Sequence, residues 1–274
     1  MEKRETGNKP VYGKAFDIFL AVPLVVYLLL LAGLTTAVFL SITPASILQA
    51  FEDRAIWDAV GLSLVTTTIS TFLSVGVAIP AGYILSRHRF PGHSLADTLI
   101  DLPIVLPPLV MGLCVLLFFN TSVGLWLDRG IVEEGLFIYQ PLGIVLVQFI
   151  VGCAFATRVI KSGFDSMDPD YEDMAMTLGA NRWQTFYKVT LSLAAPSIMA
   201  GAVISWARIF GLFGPVLLVA GTMRGRTEIM PTTIFLEVSI GRIEVALVIG
   251  ALMILMSMAM LIIFKRLGGK GRLL

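Results

Sequence analysis

Six apolar runs, at roughly residues 18–42, 60–85, 99–119, 142–161, 193–220 and 244–264, constrain this chain more than any other feature. A hydrocarbon core of ~30 Å takes about 20 residues to cross as a helix. Lipid offers no hydrogen bonds, so each run must satisfy its own backbone, which makes it helical. The predicted fold class is an all-α membrane protein with six transmembrane helices. The first run exceeds a signal-peptide core of about 7–15 residues and has no cleavage pattern after it, so it reads as a true span. Charged residues make up 14% of the 274 residues, against ~25% in soluble domains. The reading is one membrane domain, 18–264, between short tails at 1–17 and 265–274. No internal repeat supports an inverted-repeat secondary transporter. A net charge of +1 supports no nucleic-acid partner.

Lysine and arginine predict the orientation. Fourteen of the 20 fall on one side: Lys3, Arg4, Lys9 and Lys14; Arg87 and Arg89; Arg158, Lys161, Arg182 and Lys188; Lys265, Arg266, Lys270 and Arg272. Arg54, Arg129, Arg224, Arg226 and Arg242 fall on the other, and Arg208 lies within a span. The positive-inside rule then places both termini in the cytoplasm. On the outer side, Ile47, Leu48, Phe51 and Ile56 predict an interfacial helix over 44–57. Residues 120–141 and 222–243 read as polar outer loops.

The cytoplasmic segment 165–191 carries the strongest local signal. Asp168-Pro169 starts a short helix, Gly179 ends it in a left-handed conformation, and a second helix follows with Trp183, Phe186, Tyr187 and Val189 near one face. Such a helix–glycine–helix elbow on a membrane surface is suited to contact a partner. Its candidate contact residues are Asp170, Tyr171, Asp173, Met174, Ala175, Thr177, Gly179, Ala180, Asn181, Arg182 and Trp183.

Several spans contain helix breakers. Pro103, Pro107 and Pro108 open the third, Pro80 and Gly82 interrupt the second, and Gly211, Gly214 and Pro215 break the long fifth. These are ordinary packing kinks or hinges beside a pathway. Arg208 sits just before the last break. A charge within a span costs ~2.5–3.5 kcal/mol on insertion scales and faces the bundle interior or water. Arg208 either pairs with a carbonyl and holds helices together or lies at or near a conduit.

Catalytic signatures are missing. There is no GxxxxGK[ST] loop, no HExxH and no GxSxG. His88 and His93 lack neighbouring acid ligands, and Cys114 and Cys153 read as buried small hydrophobes, so no metal, disulfide or cofactor is expected. Glu133 and Glu134 read as solvated.

The elbow resembles the cytoplasmic EAA loop of importer-type ABC transporter permeases: Glu-Ala-Ala, three residues, Gly, nine residues, then Ile-x-Leu-Pro. Here Asp173-Met174-Ala175 precedes Gly179-Ala180, and Val189-Thr190-Leu191-Ser192 follows. Ala175, Gly179 and Leu191 match, Asp173 is a conservative change, and Met174 and Ser192 depart. Residues 62–113 and 207–238 look like the molybdate/tungstate and sulfate oxyanion permeases, with Leu212 in place of their glutamate. The resemblance implies a six-helix permease whose elbow is a coupling helix, and for an oxyanion cargo it implies Ser205, Arg208, Arg224 and Arg226 as candidate contacts, with Thr66, Thr67, Thr68 and Ser70 adding hydroxyls. It implies a second permease subunit, expected to be identical, two separate ATPase subunits that bring the ATP, and an extracytoplasmic binding protein that delivers molybdate or tungstate first and sulfate next. The alternatives are a permease for thiamine, ferric iron or polyamines, and an ion-coupled secondary transporter, which the near absence of acids within the spans disfavours.

Overall fold

The computed structural model describes residues 14–268 apart from Ile131 and Glu133. Expectations for residues 1–13 and 269–274, and for Glu133, lie outside them. Thirteen α-helices and one π turn follow one another, with no strand among the described residues. They are α1 (Lys14–Leu40), α2 (Pro44–Glu52), α3 (Arg54–Arg87), α4 (His93–Val105), α5 (Pro108–Phe119), α6 (Ser122–Arg129), α7 (Pro141–Asp165), α8 (Asp170–Thr177), α9 (Arg182–Thr185), the π turn Phe186–Thr190, α10 (Leu191–Phe210), α11 (Gly214–Val219), α12 (Met230–Ser239) and α13 (Ile243–Gly268).

Five helices are long and apolar enough to cross a membrane unbroken: those containing α1, α3, α7, α10 and α13. The third expected span is instead the pair α4 and α5, bent by 115°. Pro107 and Pro108 follow directly on α4 and lack the N–H groups that would continue it. The fifth expected span is also broken. Helix α10 ends at Phe210 and α11 starts at Gly214, which places the break where Gly211, Gly214 and Pro215 predict it. Pro80 behaves differently: α3 runs through it without interruption, so it is no hinge in this conformation.

The core is the junction of α3, α7 and α10. Polar side chains glue it, as they do between helices in lipid. The Ser70 hydroxyl donates to Val145 O (3.1 Å) and approaches Gln148 Oε1 (3.2 Å). Gln148 Nε2 reaches Thr67 Oγ1 (3.4 Å). Ser74 donates to Phe149 O (3.2 Å), and Ser205 to Gly152 O (3.0 Å). Helix α1, by contrast, is exposed from Phe16 to Leu40 at every position but Val38.

The end of the bundle opposite the elbow differs from expectation in two ways. The interfacial helix α2 stops at Glu52, because Asp53 caps α3 through a bond from Ala55 N (3.0 Å). Ile56 is therefore buried within α3, while Ile47, Leu48 and Phe51 remain exposed on α2. Residues 222–243 are not simply a polar loop, since they contain α12, whose Met230, Pro231, Thr232, Thr233 and Glu237 are buried. The Met230 N–H donates to Ser63 Oγ on α3 (2.8 Å), which seats the helix in the bundle. Residues 120–141 likewise contain α6. Its Asp128 is buried and accepts from the backbone N–H groups of Leu136 (3.0 Å), Phe137 (2.7 Å) and Ile138 (3.3 Å). Cys114 is exposed and Cys153 half-buried, and both are free thiols, so Cys114 does not fill the buried place expected of it.

Candidate functional site: a surface elbow and a break-lined cavity

The elbow forms as its sequence directs. Helix α8 ends in a Schellman motif: Gly179 N–H donates to Met176 O (3.0 Å) and Ala180 N–H to Ala175 O (3.0 Å). Gly179 carries φ +94°, a conformation that costs side-chain-bearing residues about 1–2 kcal/mol. Asn181 then starts α9 with a reciprocal cap, accepting from Gln184 N (2.9 Å) while its own N–H donates to Gln184 Oε1 (3.0 Å). Five residues of π turn follow, and Leu191 N–H reaches back to Phe186 O. A proline at position 192, as the resembled pattern has, disturbs a helix interior. Ser192 lets the helical run continue unbroken from Arg182 to Phe210, 29 residues. The second arm of the elbow and the membrane helix are thus one continuous helical run, with the π turn and Pro196 inside it.

One side chain that sequence reading passed over anchors the elbow. Glu172 turns inward from α8. It accepts from Arg87 Nε (3.1 Å) and Tyr83 Oη (3.0 Å), both on α3. Arg87 also donates to Met167 O (3.3 Å). The side chains of Arg87 and Glu172 are each only 12% exposed. Of the predicted contact residues, Asp170, Tyr171, Asp173, Met174, Thr177, Gly179, Asn181, Arg182 and Trp183 are exposed, while Ala175 and Ala180 are half-buried. Tyr171, Met174, Leu178, Trp183 and Tyr187 leave an apolar surface open, with the Trp183 and Tyr187 rings stacked 6.0 Å apart. Beside it lies a cleft of about 630 Å³, walled by Tyr83, Arg87 and His88 on one side and Glu172, Asp173, Trp183 and Phe186 on the other.

The helix breaks meet at a second place. A cavity of about 460 Å³ is lined by Pro103, Pro107, Pro108, Phe155, Arg208, Gly211 and Gly214, among others. It joins the α4–α5 bend to the α10–α11 break, although about 100 residues separate them in sequence. Arg208 is exposed here, and its guanidinium lies 5.1 Å from the centre of the Phe155 ring. Among the described residues, no carboxylate lies within 4.0 Å of it.

Other predicted pathway residues sit elsewhere. Ser205 is buried against Gly152 and does not line the cavity. Pro215 is also buried, packed against Gly112. The hydroxyls of Thr66, Thr67 and Ser70 are spent within the bundle. Arg224 is tied to Glu237 and faces Asp53 (3.8 Å), so it is not a free cation. The histidines do not converge on a metal: His93 Nε2 contacts Leu85 O (2.9 Å), and His88 packs edge-on to Tyr83. No cluster of three metal-ligating side chains occurs among the described residues.

Comparison with known proteins places this geometry. Residues 78–270 match the family described as binding-protein-dependent transport system inner membrane component. The chain is 35% identical over 176 residues to a molybdate/tungstate transport system permease protein of Thermococcus kodakarensis, covering 64% of this chain and 65% of that one. It is 31% identical over 191 residues to the sulfate transport system permease protein CysT of Escherichia coli, covering 69% and 68%. It is 33% identical over 226 residues to a molybdate/tungstate permease protein of Pyrococcus furiosus, covering 82% and 83%. The match thus spans just under two-thirds of the Thermococcus relative's length. In fold, the chain is similar to a chain of a bacterial ABC transporter that imports alginate, with TM-score 0.76 and 16% identity over 94% of this chain and 96% of that one. It is also similar to a chain of the MetNI methionine ABC transporter, with TM-score 0.62 and 15% identity over 77% and 94%. The described residues form an all-α bundle with five helices long and apolar enough to cross a membrane and one bent pair, and the chain belongs to the family of binding-protein-dependent transport system inner membrane components.

Proposed function

We propose that the chain is the membrane subunit of an ABC importer for a tetrahedral oxyanion, molybdate or tungstate first and sulfate next. The observation that carries the substrate class is Arg208: a guanidinium with no carboxylate partner among the described residues, in a cavity lined by proline and glycine breaks. A dianion crossing a membrane needs donors and positive potential along its path, held weakly enough to let go. No acid lines that cavity, which disfavours thiamine, ferric iron or polyamines as cargo. The names of the relatives point the same way.

In this reading two copies of the chain enclose the pathway, with both termini in the cytoplasm. The elbow lies on the cytoplasmic face and seats its exposed aromatic surface in a groove of a separate ATPase subunit, while an extracytoplasmic binding protein delivers the ion at the far end. The sequence lacks a phosphate loop, so ATP hydrolysis falls to the separate ATPase subunit. When the ATPases close, they pull the elbows, and the continuous helical run from Arg182 to Phe210 carries that displacement to the break beside Arg208. ATP binding shifts conformers only through such differential contacts.

Arg208→Ala is expected to lower oxyanion uptake by reconstituted complexes about 10–100-fold, the loss of one charged hydrogen bond of ~1.5–3 kcal/mol. Arg208→Lys should retain part of it, and both variants should assemble with the ATPase. Unchanged uptake kinetics in the alanine variant would overturn the role of Arg208. Calorimetry of the cognate binding protein against molybdate, tungstate and sulfate decides the substrate independently.

A further inference from the structure

Two acids at the end opposite the elbow are buried, and the transport reading uses neither. Glu237 on α12 is fully buried, accepts from Arg242 Nε (2.6 Å) and is paired with Arg224. Asp53, the cap of α3, completes the group, 3.5 Å from Arg242 Nη2 and 3.8 Å from Arg224 Nη1. Two acids and two bases balance there. Glu228 is the fifth charge. It lies in the loop between α11 and α12, is 2% exposed, and neither carboxylate oxygen has a hydrogen-bond partner. The charged groups facing it are Arg224, Glu237 and Asp53, and Arg224 is already engaged by the other two. The Thr233 hydroxyl, which would favour the ionised form, is donated to Ile229 O (3.0 Å).

An unpaired buried carboxylate is costly enough that the group takes up a proton instead. We propose that Glu228 is a proton-binding site: it rests as the neutral acid, and the loop that carries it stays seated on the bundle only while the proton is bound. Thr227, Glu228 and Ile229 are all buried, and the next N–H, of Met230, is the one held by Ser63 Oγ. Ionisation would give the cluster three negative charges against two positive ones. The nearest relief is to move the loop outward, which pulls Met230 from Ser63 and loosens α12. Burial pushes the Glu228 carboxyl up from its ordinary 4.5, with Glu237 and Asp53 adding to the rise and Thr233 and Arg224 opposing it. The folded chain therefore binds this proton more tightly than the unfolded chain does. Stability is greatest below the ordinary glutamate value, falls as pH rises toward the raised value, and changes no further above it.

The site is independent of the cargo assigned above. Its test is the unfolding midpoint of the purified full-length permease between about pH 5 and about pH 9, with an infrared spectrum for the carbonyl stretch of a protonated carboxyl. The wild type should lose several degrees across that range. Glu228→Gln, the neutral counterpart, should remove that fall and also the infrared band. An unchanged pH slope in Glu228→Gln overturns the proposal. If the variant does not fold, a wild-type spectrum lacking any protonated carboxyl band at about pH 6 overturns it equally.

Discussion

Gly152→Leu is expected to prevent the bundle from assembling. Gly152 lies on α7 at the point where α3 and α10 press against it from two sides. A Cβ there would meet Ser205 Oγ and Ser74 Oγ, each at 2.7 Å, and Ile209 Cγ2 at 3.3 Å. Both hydroxyls already bond α7 carbonyls, those of Gly152 and Phe149. A methyl alone could displace them by turning two flexible side chains. Leucine carries branched bulk between three helix backbones. Overpacking costs ~1–3 kcal/mol or more, and each interhelical hydrogen bond lost in lipid adds ~0.6. The detergent-purified variant should elute as aggregate or unfold many degrees below wild type, and Gly152→Ala should lie between the two. Gly76→Leu, at a position with open space around its Cβ, is the matched control and should be tolerated. Equal stability of the two leucine variants would show that close approach at Gly152 does not hold the core.

What sequence could and could not reveal divides along the range of the interaction. Span existence, the left-handed Gly179 and the break after Phe210 are local matters of apolar length and backbone chemistry, and all three are where the residues imply. The positions of Pro103, Pro107 and Pro108 foretold a disturbed third span, but not its 115° bend, which depends on what the two halves pack against. Pro80 carried the same local signal and bends nothing abruptly, because α3 is clamped along its length by α7. Ser205, Thr67 and Ser70 show the converse failure. A hydroxyl on a span reads alike whether it faces a pathway or a neighbouring carbonyl, and only helix rotation decides. Glu237 was unreadable for a similar reason. An acid in a polar-looking stretch reads as solvated until Arg224 and Arg242 are seen folded over it. Glu172 went unnoticed because its partner, Arg87, lies 85 residues away on another helix.

That same pair yields the largest functional effect expected of a single side chain outside the break-lined cavity. Glu172→Ala should cut substrate import per ATP hydrolysed by tenfold or more while the permease still inserts and its unfolding midpoint falls by only a few degrees. Trp183 and Met174 face outward. In the reading proposed above an ATPase grips them, and a grip transmits force only if the elbow is fastened to the bundle. The continuous helix into α10 is one fastening, which Glu172 does not touch. The bond of Glu172 to Arg87 and Tyr83 at the end of α3 is another, beside the Tyr83–Phe186 ring contact and the bond of Arg87 to Met167 O. Removing one partner of a buried ion pair costs ~3–5 kcal/mol. With 12% exposure on each side chain some water relieves the loss, so roughly 2 kcal/mol is the expected change. That shifts the seated population of α8 about thirtyfold. Tyr83→Phe removes only one neutral donor and should show a smaller defect of the same kind. The exchange Arg87→Glu with Glu172→Arg restores the attraction in reverse and should recover part of the coupling. Full coupling in Glu172→Ala, measured as uptake against ATP hydrolysis in the same vesicles, would mean that the helical run from Arg182 to Phe210 carries the stroke without the Glu172 bond.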